Sequence, residues 1–174
     1  IDNSDQITCL VLPEGIDSEC HLLFNFSLRC ALMLPGVKFI WRLHPIISYR
    51  DLSRKNNKLQ RLPENIILSN SSIEEDIVRS QFSIYRGSTA IITALSSGIQ
   101  PIYLSLQNEM TIDPLFELDN KWRKIVTTSE EVQKLIVGSD NLSSDHLRKD
   151  KNTAIAYAKS LFTPMNHKTL LDCK

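Results

Sequence analysis

Many of the signatures that announce a chain's chemistry are missing here. There is no Gly-x-Gly-x-x-Gly, so the usual dinucleotide fingerprint is absent, and no Gly-x-x-x-x-Gly-Lys-Ser/Thr, which excludes a P-loop. No Gly-x-Ser-x-Gly elbow occurs. The 4 cysteines (Cys9, Cys20, Cys30 and Cys173) include no Cys-x-x-Cys pair, and His21, His146 and His167 make no metal-binding pattern with nearby acids. Cys20 and Cys30 fall on one predicted helix, about 15 Å apart at a rise of 1.5 Å per residue, too far to bridge. Free thiols in a reducing cytoplasm are therefore expected. Excess charge is missing too: 20 Lys and Arg balance 20 Asp and Glu. That argues against a general nucleic-acid or anionic-membrane surface and leaves room for a local cationic pocket. No apolar run approaches the roughly 20 residues of a membrane span, and no internal repeat or low-complexity tract is evident. Neither an initiator Met nor a signal-peptide pattern stands at Ile1. We expect residues 1–174 to form a single domain cut from a longer, two-domain protein. Asn25, Asn70 and Asn141 open glycosylation sequons, but Asn25 lies inside an apolar helix pattern and the matches are read as chance.

What the sequence does have is alternation. With 42% hydrophobic and 23% charged residues in 174, it has the composition and length of a soluble globular domain with a real core. Ile7–Leu12 is a short apolar run of buried-strand type. After Pro13-Glu-Gly-Ile, Asp17 or Ser18 can cap a helix rich in Leu, Phe and Ala that runs to about Leu34 and ends at Pro35-Gly36. Val37–Leu43 is a second strand, stopped at His44-Pro45. Residues 51–61 are polar and basic, a surface helix or irregular excursion. A short strand at Asn65–Leu68, a turn at Ser69–Ser72 and a short helix at Ile73–Arg79 follow.

Phe82–Leu104 then organises the chain. Phe82, Ile84 and Tyr85 read as strand, Gly87 as turn, and Ser88 or Thr89 as the cap of a helix on which Ala90, Ile91, Ala94 and Leu95 recur. Gly98 ends that helix and Pro101-Ile-Tyr-Leu104 re-enters a strand. Residues 105–120 are a long loop of the kind that is often functional. A strand at Lys124–Thr127, a capped helix at Ser129–Ile136, a loop at Gly138–Asp145 and a helix at His146–Phe162 complete the pattern. The tail beyond Pro164 is expected to fray. Trp41 and Trp122 are expected to pack, and Ser96-Ser97-Gly98 to serve as a structural cap. Strands alternating with helices imply an α/β, Rossmann-like parallel sheet of about six strands with helices on both faces.

In such sheets ligands bind beyond the carboxyl ends of the strands. The chemically able residues fall there: Glu14-Gly15 after the first strand, His44-Pro45 after the second, Ser69-Asn70 after the third, and Arg86-Gly87-Ser88-Thr89 after the fourth. One crevice could collect all four loops. At Gly87-Ser88-Thr89, backbone N–H groups, hydroxyls and a helix dipole would suit a phosphate, or the turn is an ordinary βα connection. His44 could donate to a phosphate and, as imidazolium, neutralise a leaving group, or be satisfied by a neighbouring carbonyl. Arg42 shares its strand face with His44, and could serve the same anion or pair with a helix carboxylate. Arg86 is another such donor. Gly15 would let a ligand approach the backbone, and Glu14 could bind a ribose or sugar hydroxyl or a nearby Arg.

Phe39-Ile-Trp-Arg-Leu-His-Pro45, followed by Tyr85-Arg-Gly-Ser-Thr-Ala90 and Ala94-Leu-Ser-Ser-Gly-Ile-Gln-Pro-Ile102, resembles the C-terminal half of a GT-B glycosyltransferase. The motifs are similar to the His-Pro and Ser/Thr motifs of bacterial sialyltransferases, polysialyltransferases and related CMP-sugar-dependent capsule enzymes. Similar patterns occur in glycerophosphotransferases of wall and capsule synthesis. The resemblance implies a nucleotide-sugar donor with CMP favoured, a saccharide or glycolipid acceptor, and no metal or cofactor. It also implies an acceptor-binding N-terminal domain outside this sequence, without which this piece would be inactive. His44 would contact the donor phosphate and stabilise the departing nucleotide, and Ser88 and Thr89 would hold the same phosphate. Glu14-Gly15 matches an acidic-Gly motif only superficially, so no catalytic-base role passes to Glu14. The implied location is the cytoplasm, at the inner membrane surface in the full-length protein. A sugar-phosphate isomerase-type domain and a non-catalytic interaction module are the rival expectations.

Overall fold

A computed structural model describes residues 6–138 and 145–162. The expected loop at residues 139–144, the Asn141 sequon, His167, Cys173 and the tail beyond Pro164 lie outside the described residues. In chain order the strands are β1 (Thr8–Leu12), β2 (Lys38–Trp41), β3 (Ile66–Leu68), β4 (Phe82–Tyr85), β5 (Gln100–Leu104) and β6 (Lys124–Val126). The helices are α1 (Asp17–Met33), α2 (Tyr49–Lys55), α3 (Ile73–Val78), α4 (Ala90–Ser96), α5 (Ser129–Val137) and α6 (Asp145–Ser160), with a 3-10 turn at Asn57–Leu59.

All five strand pairings are parallel, in the order β3-β2-β1-β4-β5-β6. The chain thus builds outward from β1 to one edge, crosses back, and builds outward again from β4 to the other. The order reverses between β1 and β4, which makes the carboxyl ends of these two strands the topological switch point.

Strand side chains alternate between two cores. Cys9, Val11, Phe39, Trp41, Ile84 and Leu104 meet α1 and α5 on one face. Leu10, Leu12, Ile40, Tyr85 and Tyr103 meet α3, α4 and α6 on the other. Every residue of β1 is buried, so the apolar run that follows Thr8 reflects helices on both sides. Trp41 packs as expected: it stacks on Phe24 at 4.4 Å and donates Nε1–H to Ser27 at 2.8 Å. Trp122 donates its indole N–H to the Ile99 carbonyl. Cys9, Cys20 and Cys30 are free, buried thiols, and burial raises the Cys20 thiol to about 11.

Local chemistry sets the element ends. Ser72 with Glu75, and Thr128 with Glu131, form reciprocal capping boxes at α3 and α5. At the end of α4, Gly98 has φ +89. There Gly98 N–H bonds the Leu95 carbonyl and Ile99 N–H the Ala94 carbonyl, the Schellman closure that glycine permits. The hydroxyls of Ser96 and Ser97 turn back to the Thr93 carbonyl, a structural use. At two helix starts the expected caps are not made. The residue before α1 is Ile16, with no side-chain cap, while Asp17 pairs with Lys55. Thr89 precedes α4 with helical dihedrals and also makes no side-chain cap.

Candidate functional site

Strand register assembles the site. Leu12 is level with Tyr85 and Val11 with Trp41, so the chain leaving β1 brings Glu14 level with Gly87 on one side and His44 on the other. The contacts follow. A Cβ on Gly15 would lie 2.9 Å from His44 Nδ1, so the imidazole rests on the bare glycine backbone. A Cβ on Gly87 would collide with the Glu14 carboxylate, 2.8 Å from its Cδ, and lie 3.1 Å from Ile112 Cδ1. Both glycines are needed for close approach rather than for unusual dihedrals.

The resulting cleft, about 340 Å³, is walled by Glu14, Gly15, His44, Gly87, Ser88 and Thr89, with Ile16 and Ile46 at its mouth. It sits on the switch point. His44 is exposed, and its Nδ1 accepts a long hydrogen bond of 3.4 Å from Ile46 N–H, which in the neutral ring leaves the proton on Nε2. The first N–H groups of α4 are uncommitted: Ser88, Thr89 and Ala90 donate to no described residue, nor do the Ser88 and Thr89 hydroxyls. A seven-residue helix has a modest dipole. The unpaired donors themselves therefore matter more than the macrodipole. Glu14 opposes them: its carboxylate lies against Gly87 and would repel an anion there, so an anion is best placed toward Ser88, Thr89 and His44.

Arg42 does not reach the cleft. Its guanidinium donates to Asp76 at 2.8 Å, to the Ser71 carbonyl at 2.7 Å and, more weakly, to Ser69 at 3.4 Å. Ser69 and Arg79 also donate to Asp76, which is wholly buried. Burial raises the Asp76 pKa, but the hydrogen bonds from Ser69, Arg42 and Arg79 outweigh it and hold the carboxyl below the usual range. Of the two readings open for Arg42, the helix-carboxylate partner is the one realised. Ser69 and Asn70 lie beyond β2 at the sheet edge, about 14 Å from β4 at a strand spacing of about 4.8 Å. The crevice therefore collects three loops rather than four. Pro45 is exposed, outside the cleft walls.

Arg86 is also turned away. It is 3% exposed and pairs with Glu19 of α1 at 2.8 Å and with Glu109 of the loop 105–123. It joins that loop to α1 instead of offering a free cation. Sequence reading did not single out Glu19, Glu109, Ile16, Ile46 or Ile112. Nor did it find the post that holds the long loop. Asp113 accepts from Tyr85 Oη at 2.8 Å, Leu115 N–H at 2.8 Å and Arg123 Nε at 2.8 Å. The signal was an acid in a long loop, which spacing alone cannot pair with a Tyr 28 residues away.

Among the described residues no group of three or more His, Cys, Asp and Glu could hold a metal, and no helix is long and apolar enough to cross a membrane. A larger hollow, about 790 Å³, opens at the amino ends of β4 and β5. Its Ser80, Gln81 and Gln100 side chains are hydrogen-bonded within the fold, a structural arrangement.

No protein-family model matches the chain, and neither does any curated protein sequence. Solved structures do. Over 99% of this chain and 44% of the other, it superposes on the glycosyltransferase of kitacinnamycin, with TM-score 0.64 and 11% identity. It is similar to the spinosyn rhamnosyltransferase SpnG over 91% of this chain and 42% of that one, with TM-score 0.58 and 16% identity. Acinetobacter baumannii MurG matches over 97% and 49%, with TM-score 0.53 and 14% identity. The chain spans less than half the length of these structures. What these likenesses establish is the architecture: a six-stranded parallel, Rossmann-like α/β domain of the kind found in GT-B glycosyltransferases.

Proposed function

We propose that this chain is the donor-binding, C-terminal half of a GT-B glycosyltransferase that moves a sugar from a nucleotide-sugar to a saccharide or glycolipid acceptor. The observation that carries the reading is the cleft at the β1/β4 switch point, where an imidazole, two free hydroxyls and unpaired helix N–H groups face one space. In glycosyl transfer the bond from the anomeric carbon to the phosphate oxygen breaks, and its electron pair stays on the phosphate. His44 Nε2–H and the Ser88–Thr89 donors meet that growing charge. Pre-placed donors stabilise the transition state more than the ground state, and losing one typically costs about 10²–10³ in rate. Glu14 is suited to accept from a ribose or sugar hydroxyl. The acceptor would be bound by sequence outside this chain, which fits its spanning less than half of the matched structures. The motif resemblance favours a CMP-sugar in bacterial surface-glycan synthesis, without a metal or cofactor, in the cytoplasm and peripheral at the inner membrane.

The test is thermal unfolding of the chain with CMP, CDP, UDP, GDP and a simple sugar phosphate, repeated for His44→Ala and Ser88→Ala. A ligand at 100 times its Kd adds about 2.7 kcal/mol. Stabilisation by one nucleotide, lost in both variants, is expected and names the base. Stabilisation by sugar phosphate alone would overturn the reading in favour of an isomerase-type site.

A further inference from the structure

The basic stretch after β2 takes no part in the cleft. Residues 50–61 hold Arg50, Arg54, Lys55, Lys58 and Arg61 against one acid, Asp51. In a chain whose charges cancel, so much of one sign in twelve residues means the zero sum hides a segregated patch. The structure folds this stretch into α2 and the 3-10 turn, packed along α1. Arg54 is paired with Asp51 and Lys55 with Asp17, while Arg50, Lys58 and Arg61 form no ion pair among the described residues. Between the 3-10 turn and α1 a groove of about 620 Å³ opens, with Leu28, Leu32 and Leu62 on its walls and Arg29, Lys58 and Arg61 around it. Leu32 is 65% exposed, an aliphatic side chain held in water beside cations. Arg29 lies over the Phe26 ring at 5.6 Å, which steadies it on the surface. Glu64 and Glu130 do not line the groove, although Glu130 on α5 lies close enough to interact electrostatically with Arg29.

We propose that this groove and its cations form the face by which the protein docks on an anionic lipid bilayer. An exposed leucine, Leu32, beside the half-buried Leu28 and Leu62 and flanked by the unpaired Lys58 and Arg61, matches the two attractions of such a surface, apolar insertion and anionic headgroups. An acidic protein segment fits less well. Asn25 Oδ1 already accepts from Asn56 Nδ2, and the N–H groups of Leu59 and Gln60 are bonded within the turn, so besides its cations the groove has only the Asn25 NH2 group with which to read a peptide. The groove lies along the later turns of α1. These run back toward the amino ends of the strands, so docking leaves the cleft at the carboxyl ends open. The inference deepens the membrane location proposed above and rests on that reading for location, not for transfer chemistry.

The experiment is flotation of the chain with vesicles of phosphatidylcholine, or of phosphatidylcholine mixed with phosphatidylglycerol, at low and high salt. Binding is expected only to the anionic vesicles and should fall with salt. Each lost charge should weaken it about fivefold, so Lys58→Gln with Arg61→Gln should bind about 25-fold less. Leu32→Ser should weaken binding with an unchanged salt dependence. Removing two charges from α6 (Arg148→Gln with Lys149→Gln) should leave it unchanged. Equal loss in the α6 variant, undiminished binding by the groove variant, or no binding to anionic vesicles would each overturn the proposal. Salt-sensitive binding of a poly-glutamate peptide without vesicle binding would overturn it in favour of an acidic protein partner. Thermal unfolding with nucleotide, run on every variant, separates this outcome from failure of the cleft reading.

Discussion

Gly15→Ala is the sharpest probe of the cleft, because its effect should fall on binding and spare stability. The new Cβ would sit 2.9, 3.0 and 3.2 Å from His44 Nδ1, Cγ and Cδ2, so the ring must retreat by roughly half an ångström or swing aside. His44 is exposed and held through its ring by one 3.4 Å hydrogen bond, so the retreat is cheap, under about 1 kcal/mol of stability. A ring so displaced no longer aims Nε2–H at a phosphate. A hydrogen bond to a charged group is worth about 1.5–3 kcal/mol, so nucleotide Kd should rise roughly 10- to 150-fold. The assay is calorimetric titration of the stabilising nucleotide into the wild type, Gly15→Ala, His44→Ala and the double variant, beside their unfolding curves. If the glycine acts through His44, the double variant binds no worse than His44→Ala. If Gly15→Ala weakens binding equally in both backgrounds, the glycine serves backbone approach and does not act through the His44 ring.

Three further outcomes are expected. Glu14→Gln keeps an acceptor for a ribose or sugar hydroxyl and removes only the charge beside Gly87, so a free nucleotide should bind severalfold tighter and a nucleotide-sugar should gain less; weaker binding of both would show that the charge itself holds the ligand. Asp76→Asn should cost about 2–3 kcal/mol in chemical denaturation, below the full price of a broken buried pair because Arg42 and Arg79 are partly solvated. The folded pKa of Asp76 is depressed, so its contribution is present above the unfolded value near 3.9 and fades as pH falls through the folded one; the wild type should therefore lose stability in that acid window and Asp76→Asn should lose less, equal slopes refuting the assignment. Asp113→Ala strands Arg123 and the Tyr85 hydroxyl in a buried site and should cost about 3 kcal/mol, with new proteolysis within residues 105–123 as the direct readout.

The sequence by itself determined the alternation of strands and helices, because the apolar runs were short, bounded by Gly and Pro, and separated by helical spacing. It also located His44, Gly15 and Gly87-Ser88-Thr89 at strand ends, since those positions follow from where each run stops. Tertiary structure decided which strand ends are neighbours. The order β3-β2-β1-β4 brings the loops after β1, β2 and β4 together and leaves Ser69 and Asn70 at the edge. It also decided where the arginines went. Arg42 and Arg86 stand at strand ends as expected, but a long side chain settles on whichever carboxylate the packing buries within reach, Asp76 for one and Glu19 with Glu109 for the other. Those acids come from segments 23 to 67 residues away. Periodicity reports which face a residue takes. It carries no information about which distant charge will share that face, because only the packed helices and the strand register bring the two together.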